Sequence, residues 1–131
     1  MAENFRYLHT MLRVGNLERS VAFYSAMFGM VELRRRDVPD GKYTLAFLGY
    51  NDRPDQTELE LTYNYGVDNY EIGTGFGHLA FGMPDVYGTC ERLRAAGAKI
   101  TREPGPVKFG TTVIAFVDDP DGYKIELIQR P

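Results

Sequence analysis

FRYLHTMLRVGNLERSVAFYSAMFG, residues 5–29, reads as a strand running into a capped helix, and the same pattern returns in the second half of the chain. FRYLHTMLRV has strand-like composition. Asn16 stands where an N-cap belongs. Leu17, Val21, Tyr24 and Phe28 fall on one helical stripe, and Gly29 ends the helix. MVELRRRDV follows as a strand, PDGK as a hairpin turn and YTLAFLGY as the next strand. After the polar loop NDRPDQT comes ELELTYNY. The order is β-α-β-β-β.

FGHLAFGM, residues 76–83, begins the second copy. Asp85 can cap the helix VYGTCERLRAAG, and AKITRE, TTVIAFVDD and YKIELIQ supply three strands. His9 and His78 are 69 residues apart, as are Asn16 and Asp85, and as are the AF pairs at 46–47 and 115–116. Glu60 and Glu126, each central in the last strand of its half, are 66 apart, because GYNDRPDQTE gives way to the tighter DDPDGYK. A fixed offset held through a helix and two strands marks a duplicated unit. The expected architecture is α+β. One domain over residues 1–131 is built from module 1, about 5–65, and module 2, about 76–130. The Gly-rich stretch GVDNYEIGTGFG, 66–77, links them.

At 131 residues, 44% hydrophobic and 25% charged, the composition is that of an ordinary globular chain. A net charge of -3 gives no basic excess for nucleic acid. RRR at 34–36, followed by Asp37, reads as a solvated strand edge. No apolar run has the length of a signal peptide core or a membrane span, so a cytoplasmic protein without a membrane partner is expected. The single cysteine, Cys90, shares helical spacing with Val86, Leu93 and Gly97 and reads as a small buried hydrophobe.

Glu126 lies between Ile125 and Leu127 in KIELI, and alternation puts it on the face opposite those two. A lone Glu there would be solvent-facing beside Lys124. Its twin Glu60 changes that reading, because the only two histidines, His9 and His78, are twins as well. Two imidazoles and two carboxylates at equivalent positions form a symmetric four-ligand set for a borderline divalent ion. Along the strands, His9, Met11 and Arg13 share a face, as do Glu60, Thr62 and Asn64. A guanidinium and an amide beside a metal suit an anionic substrate.

HTMLRVGNLERSVAFY, YTLAFLGY, LELTYNYG, FGHLAFGM and GTTVIAFVDDPDGYKIELIQ closely resemble the short bacterial glyoxalase I family of the vicinal oxygen chelate superfamily, over about residues 6–129. The resemblance implies paired β-α-β-β-β modules with curved mixed sheets. It carries metal ligands onto His9, Glu60, His78 and Glu126, and thiol-binding residues onto Arg13 and Asn64. A further basic contact to a substrate carboxylate falls on Arg102 or Lys108. A basic position of the family just before the second histidine has no match, Thr74 standing in that region. The implied reaction converts the hemithioacetal of methylglyoxal and glutathione into S-D-lactoylglutathione by moving a proton from C1 to C2, with Glu126 as base. The implied cofactor is one divalent metal per site, nickel first, with cobalt, zinc or manganese also accepted. The implied assembly is a homodimer with sites at the subunit interface.

Three other activities share this fold. An extradiol dioxygenase needs only two His and one carboxylate. A metal-free drug-binding protein would lack most of the four ligands, and all four are present. A coenzyme A thioester epimerase would use a similar set, but LTYNYG and HTMLRVGN favour the glyoxalase.

Overall fold

The computed structural model describes residues 3–131. Its chain divides into two units, one ending at Tyr70 and the other beginning at Glu71. The first holds β1 (His9–Arg13), α1 (Leu17–Phe28), β2 (Val31–Val38), β3 (Tyr43–Gly49) and β4 (Glu58–Asn64), with a 3-10 turn at Pro39–Gly41. The second holds β5 (Leu79–Met83), α2 (Val86–Ala95), β6 (Lys99–Pro106), β7 (Val113–Asp118) and β8 (Lys124–Gln129).

Each unit forms a four-stranded mixed sheet. The order is β1-β4-β3-β2 in the first and β5-β8-β7-β6 in the second. The first and last strands of each unit run parallel, and the remaining pairs are antiparallel. The parallel pair needs a long crossover, which the helix and the two following strands provide. The last strand therefore enters the middle of the sheet, beside the first. This insertion sets Glu60 and Glu126 on interior strands next to β1, which His9 opens, and β5, which His78 precedes by one residue.

The helices begin as their caps require. Asn16 Oδ1 accepts from the Arg19 N–H at 3.0 Å, and Asp85 Oδ1 from the Gly88 N–H at 3.1 Å. On α1 the buried positions are Leu17, Ser20, Tyr24 and Met27, whereas Val21 and Phe28 are half-buried. The stripe is rotated from the expected one by part of a turn, since a 3.6-residue period places both i+3 and i+4 near one face. On α2, Val86, Cys90 and Leu93 are buried, and the helix stops at Ala95. Gly97 is not on the stripe; at φ 92 it sits in the left-handed region beyond the helix end.

One face of each sheet carries the core. In the first unit Leu12, Val14, Ala46, Leu48 and Leu61 are buried with Leu17 and Tyr24 of the helix. In the second Ala115, Val117, Ile125 and Leu127 are buried with the α2 stripe. Strand alternation assigns the intervening residues to the opposite face. There lie Glu58, Glu60, Thr62 and Asn64 on β4, and Lys124, Glu126 and Ile128 on β8.

Candidate metal centre and active site

His9 opens β1, and His78 stands one residue before β5. His9 Nε2 is 2.9 Å from Glu60 Oε1, and His78 Nε2 is 3.0 Å from Glu126 Oε1. The two pairs are built alike. In strand register Met11 lies opposite Glu60, and its twin Ala80 lies opposite Glu126. Phe47, paired with Glu60 from β3, sets its ring edge-on to His9 at 5.3 Å. Phe116, paired with Glu126 from β7, does the same to His78 at 5.4 Å. Each imidazole is thus held against an aromatic wall with Nε2 turned to its carboxylate.

The donor chemistry fits a divalent ion. At 2.9 and 3.0 Å apart, the nitrogen and oxygen of each pair lie close enough that both could hold one ion. Each pair has one neutral-capable imidazole and one carboxylate, a set suited to Ni, Co, Zn or Mn. Among the described residues, no group of three or more His, Cys, Asp or Glu is placed to hold a metal. What each unit offers is a two-donor half-site.

The half-sites differ in their support. Glu60 is only 9% exposed, and Thr62 Oγ1 donates to its Oε2 at 3.2 Å. In the second unit the equivalent of Thr62 is Ile128, which has no donor, and among the described residues Glu126 is held by His78. Beside the first pair, Arg34 makes a bidentate contact with Glu58 at 2.6 and 3.1 Å and lies 4.1 Å above the Phe47 ring. The Arg34 hydrogen bond holds the Glu58 carboxyl below its ordinary range. The counterpart of Glu58 in the second unit is Lys124, paired with Asp118 at 2.8 Å. RRR at 34–36 does lie on an edge strand, but Arg34 and Arg35 are both paired, the latter with Glu32 and Glu18. The register of β2 shifts between Glu32 and Arg34, so alternation along the chain gave no signal for Arg34.

The faces around the pairs also differ. In the first unit Arg13 lies opposite Thr62, with Asn64 one same-face step further on. Asn64 Nδ2 donates to the Tyr70 hydroxyl at 3.0 Å. The equivalent of Arg13 in the second unit is Gly82, opposite Ile128, so that face is apolar. Arg102 is half-buried, and its guanidinium donates to the carbonyls of Gly105, Ile114 and Pro106 at 2.9 Å. It braces the turn leading to Lys108. Lys108 is exposed, with Nζ 5.3 Å from the centre of the exposed Phe109 ring. Cys90 is fully buried, and burial pushes its thiol up, consistent with an inert side chain.

The family model for the glyoxalase/bleomycin resistance protein/dioxygenase superfamily matches residues 6–127. Lactoylglutathione lyase from Haemophilus influenzae is 62% identical over 94% of this chain and 91% of its own length. The enzyme of that name from Escherichia coli O157:H7 is 56% identical over 95% of this chain and 93% of its own. Among solved structures, glyoxalase I from Zea mays superposes with a TM-score of 0.89 at 60% identity; the match covers 95% of this chain but 44% of the maize chain. The trypanothione-dependent glyoxalase I of Leishmania major gives 0.85 at 48% identity, over 96% of this chain and 87% of its own. By family model, by near-full-length identity and by fold, the chain belongs to the glyoxalase/bleomycin resistance protein/dioxygenase superfamily, and within it to the lactoylglutathione lyases, or glyoxalase I.

Proposed function

We propose that the chain is a lactoylglutathione lyase that isomerises the hemithioacetal of methylglyoxal and glutathione to S-D-lactoylglutathione, removing a toxic aldehyde. The carrying observation is the pair of matched His–Glu half-sites, each with donors 2.9–3.0 Å apart. Relatives of that activity at 56–62% identity support it.

His9, Glu60, His78 and Glu126 would hold one divalent ion per site, nickel being our first choice. Four ligands require two half-sites. We assign His9 and Glu60 of one subunit together with the partner's His78 and Glu126, in a homodimer. When bound, the ion supplies Lewis-acid stabilisation of negative charge developing on the substrate oxygens. The chain's own residues do the proton work. Glu126 takes the proton from C1 and returns it to C2. The support for Glu126 over Glu60 is its looser hold, since Thr62 gives Glu60 a second anchor and Ile128 gives Glu126 none. A base that is freer to swing can reach two adjacent carbons.

Arg13 and Asn64 bind the thiol's charged end. Lys108 serves a substrate carboxylate better than Arg102, whose donors already meet carbonyls. We take the chain as one domain built from the two modules. No helix is long and apolar enough to cross a membrane. Cytoplasmic placement suits a glutathione-dependent reaction. The test is thioester absorbance on mixing the metal-loaded protein with methylglyoxal and glutathione. No absorbance change above the uncatalysed mixture would overturn the assignment.

A further inference from the structure

After β4 the chain folds back on the first unit and reaches Asn64 a second time. Gly66 turns at φ 84. The Val67 N–H donates to the Asn64 carbonyl at 3.0 Å, and the Gly66 N–H to the Tyr63 hydroxyl at 3.1 Å. Asp68 then lies against Gly15. A Cβ at Gly15 would stand 2.3 Å from the Asp68 carbonyl oxygen and 2.7 Å from its carbon, so only glycine admits the segment there. This seat brings Tyr70, half-buried, to where its hydroxyl accepts from Asn64 Nδ2 at 3.0 Å. Among the described residues no donor meets Asn64 Oδ1.

An amide side chain can turn over, exchanging oxygen and nitrogen. A phenol hydroxyl can donate or accept; here it accepts from the amide nitrogen, which leaves the Asn64 oxygen as the outward acceptor. Arg13, across from Thr62 on the same face, offers donors. A donor and an acceptor on one sheet face match an α-amino acid headgroup: the guanidinium takes the carboxylate, and the amide oxygen takes the ammonium. We propose that Tyr70 is a positioning residue, fixing the Asn64 amide so that its oxygen faces the ammonium of the thiol's γ-glutamyl end. This rests on Arg13 and Asn64 being the thiol-binding residues. The segment 66–70, seated on Gly15, is what delivers the hydroxyl.

Tyr70→Phe removes one oxygen and leaves the ring. Two probes are titrated by calorimetry: S-methylglutathione, and the same compound acetylated on its γ-glutamyl nitrogen. The variant should bind S-methylglutathione roughly three- to tenfold more weakly, the scale of one lost hydrogen bond. It should bind the acetylated probe as the wild type does. KM for the hemithioacetal should rise by the same factor, with kcat within about twofold. Combined with Asn64→Ala, Tyr70→Phe should add nothing further. Gly15→Ala attacks the same contact from the other side and should also weaken only the ammonium-bearing probe. Equal losses for both probes, or a fall in kcat without a change in KM, would make Tyr70 merely structural and overturn the proposal. So would unchanged affinity in Tyr70→Phe or in Gly15→Ala while Asn64→Ala binds weakly, although the headgroup site itself would then stand. If Asn64→Ala binds S-methylglutathione like the wild type, that site is wrong and the role of Tyr70 falls with it.

Discussion

Replacing each twin carboxylate by glutamine separates a ligand from a base. Glu126→Gln keeps shape and an oxygen for the metal but cannot take a proton at neutral pH. General-base loss costs on the order of 10²–10⁴ in rate, or about 3–5 kcal/mol of barrier. Glu60→Gln loses a charge as well, but in our assignment no proton passes through it. Glu60 is anchored twice, by His9 at 2.9 Å and by Thr62 at 3.2 Å. A hydrogen bond to a charged group contributes about 1.5–3 kcal/mol, and a 3.2 Å contact belongs at the lower end. Glutamine keeps an oxygen that can accept from Thr62, so the change should appear mainly as weaker metal affinity through the lost charge. Initial rates are read at the thioester band, with bound metal measured on the same samples. At matched occupancy Glu126→Gln should be at least about 100-fold slower than Glu60→Gln. The reverse order would exchange the two roles. Full activity in both variants with metal bound would mean that neither carboxylate is the base.

Chelation should abolish turnover, and nickel or cobalt should restore more of it than zinc; full turnover by a metal-free preparation would remove the ligand set. Arg13→Ala and Asn64→Ala should each raise KM with metal content unchanged, by about ten- to a hundredfold for a lost charge-assisted contact at Arg13. Leu61→Ala and Leu93→Ala, both at fully buried positions, should each cost about 2–5 kcal/mol in urea unfolding. Burial raises the Cys90 thiol above its ordinary 9.0, so the native state holds that proton to higher pH than the unfolded chain. The stability this gives is complete below about pH 9 and is lost as pH rises through the native value. Urea melts of Cys90→Ala should accordingly show a shallower decline above pH 9 than the wild type.

The duplicated element order, the caps Asn16 and Asp85 and the equivalence of His9 with His78 and of Glu60 with Glu126 are all legible in the chain itself. They depend on local periodicity and on spacing, which survive without knowledge of which strands become neighbours. Finer placement is not legible in this way: the buried stripe of α1 takes Ser20 and Met27 ahead of Val21 and Phe28, because packing chooses between i+3 and i+4. What only the tertiary structure decides is what each strand stands beside. The last strand of each unit inserts next to the first, and this non-local pairing brings each histidine within 3.0 Å of a carboxylate. Register across the sheet takes Arg34 out of an apparently solvated run and sets it over Phe47. The return of 66–70 onto Gly15 carries Tyr70 to Asn64. Such contacts join residues far apart in the chain or across a turn whose direction depends on close backbone approach. No local pattern encodes them, because their energy exists only once the sheet has formed.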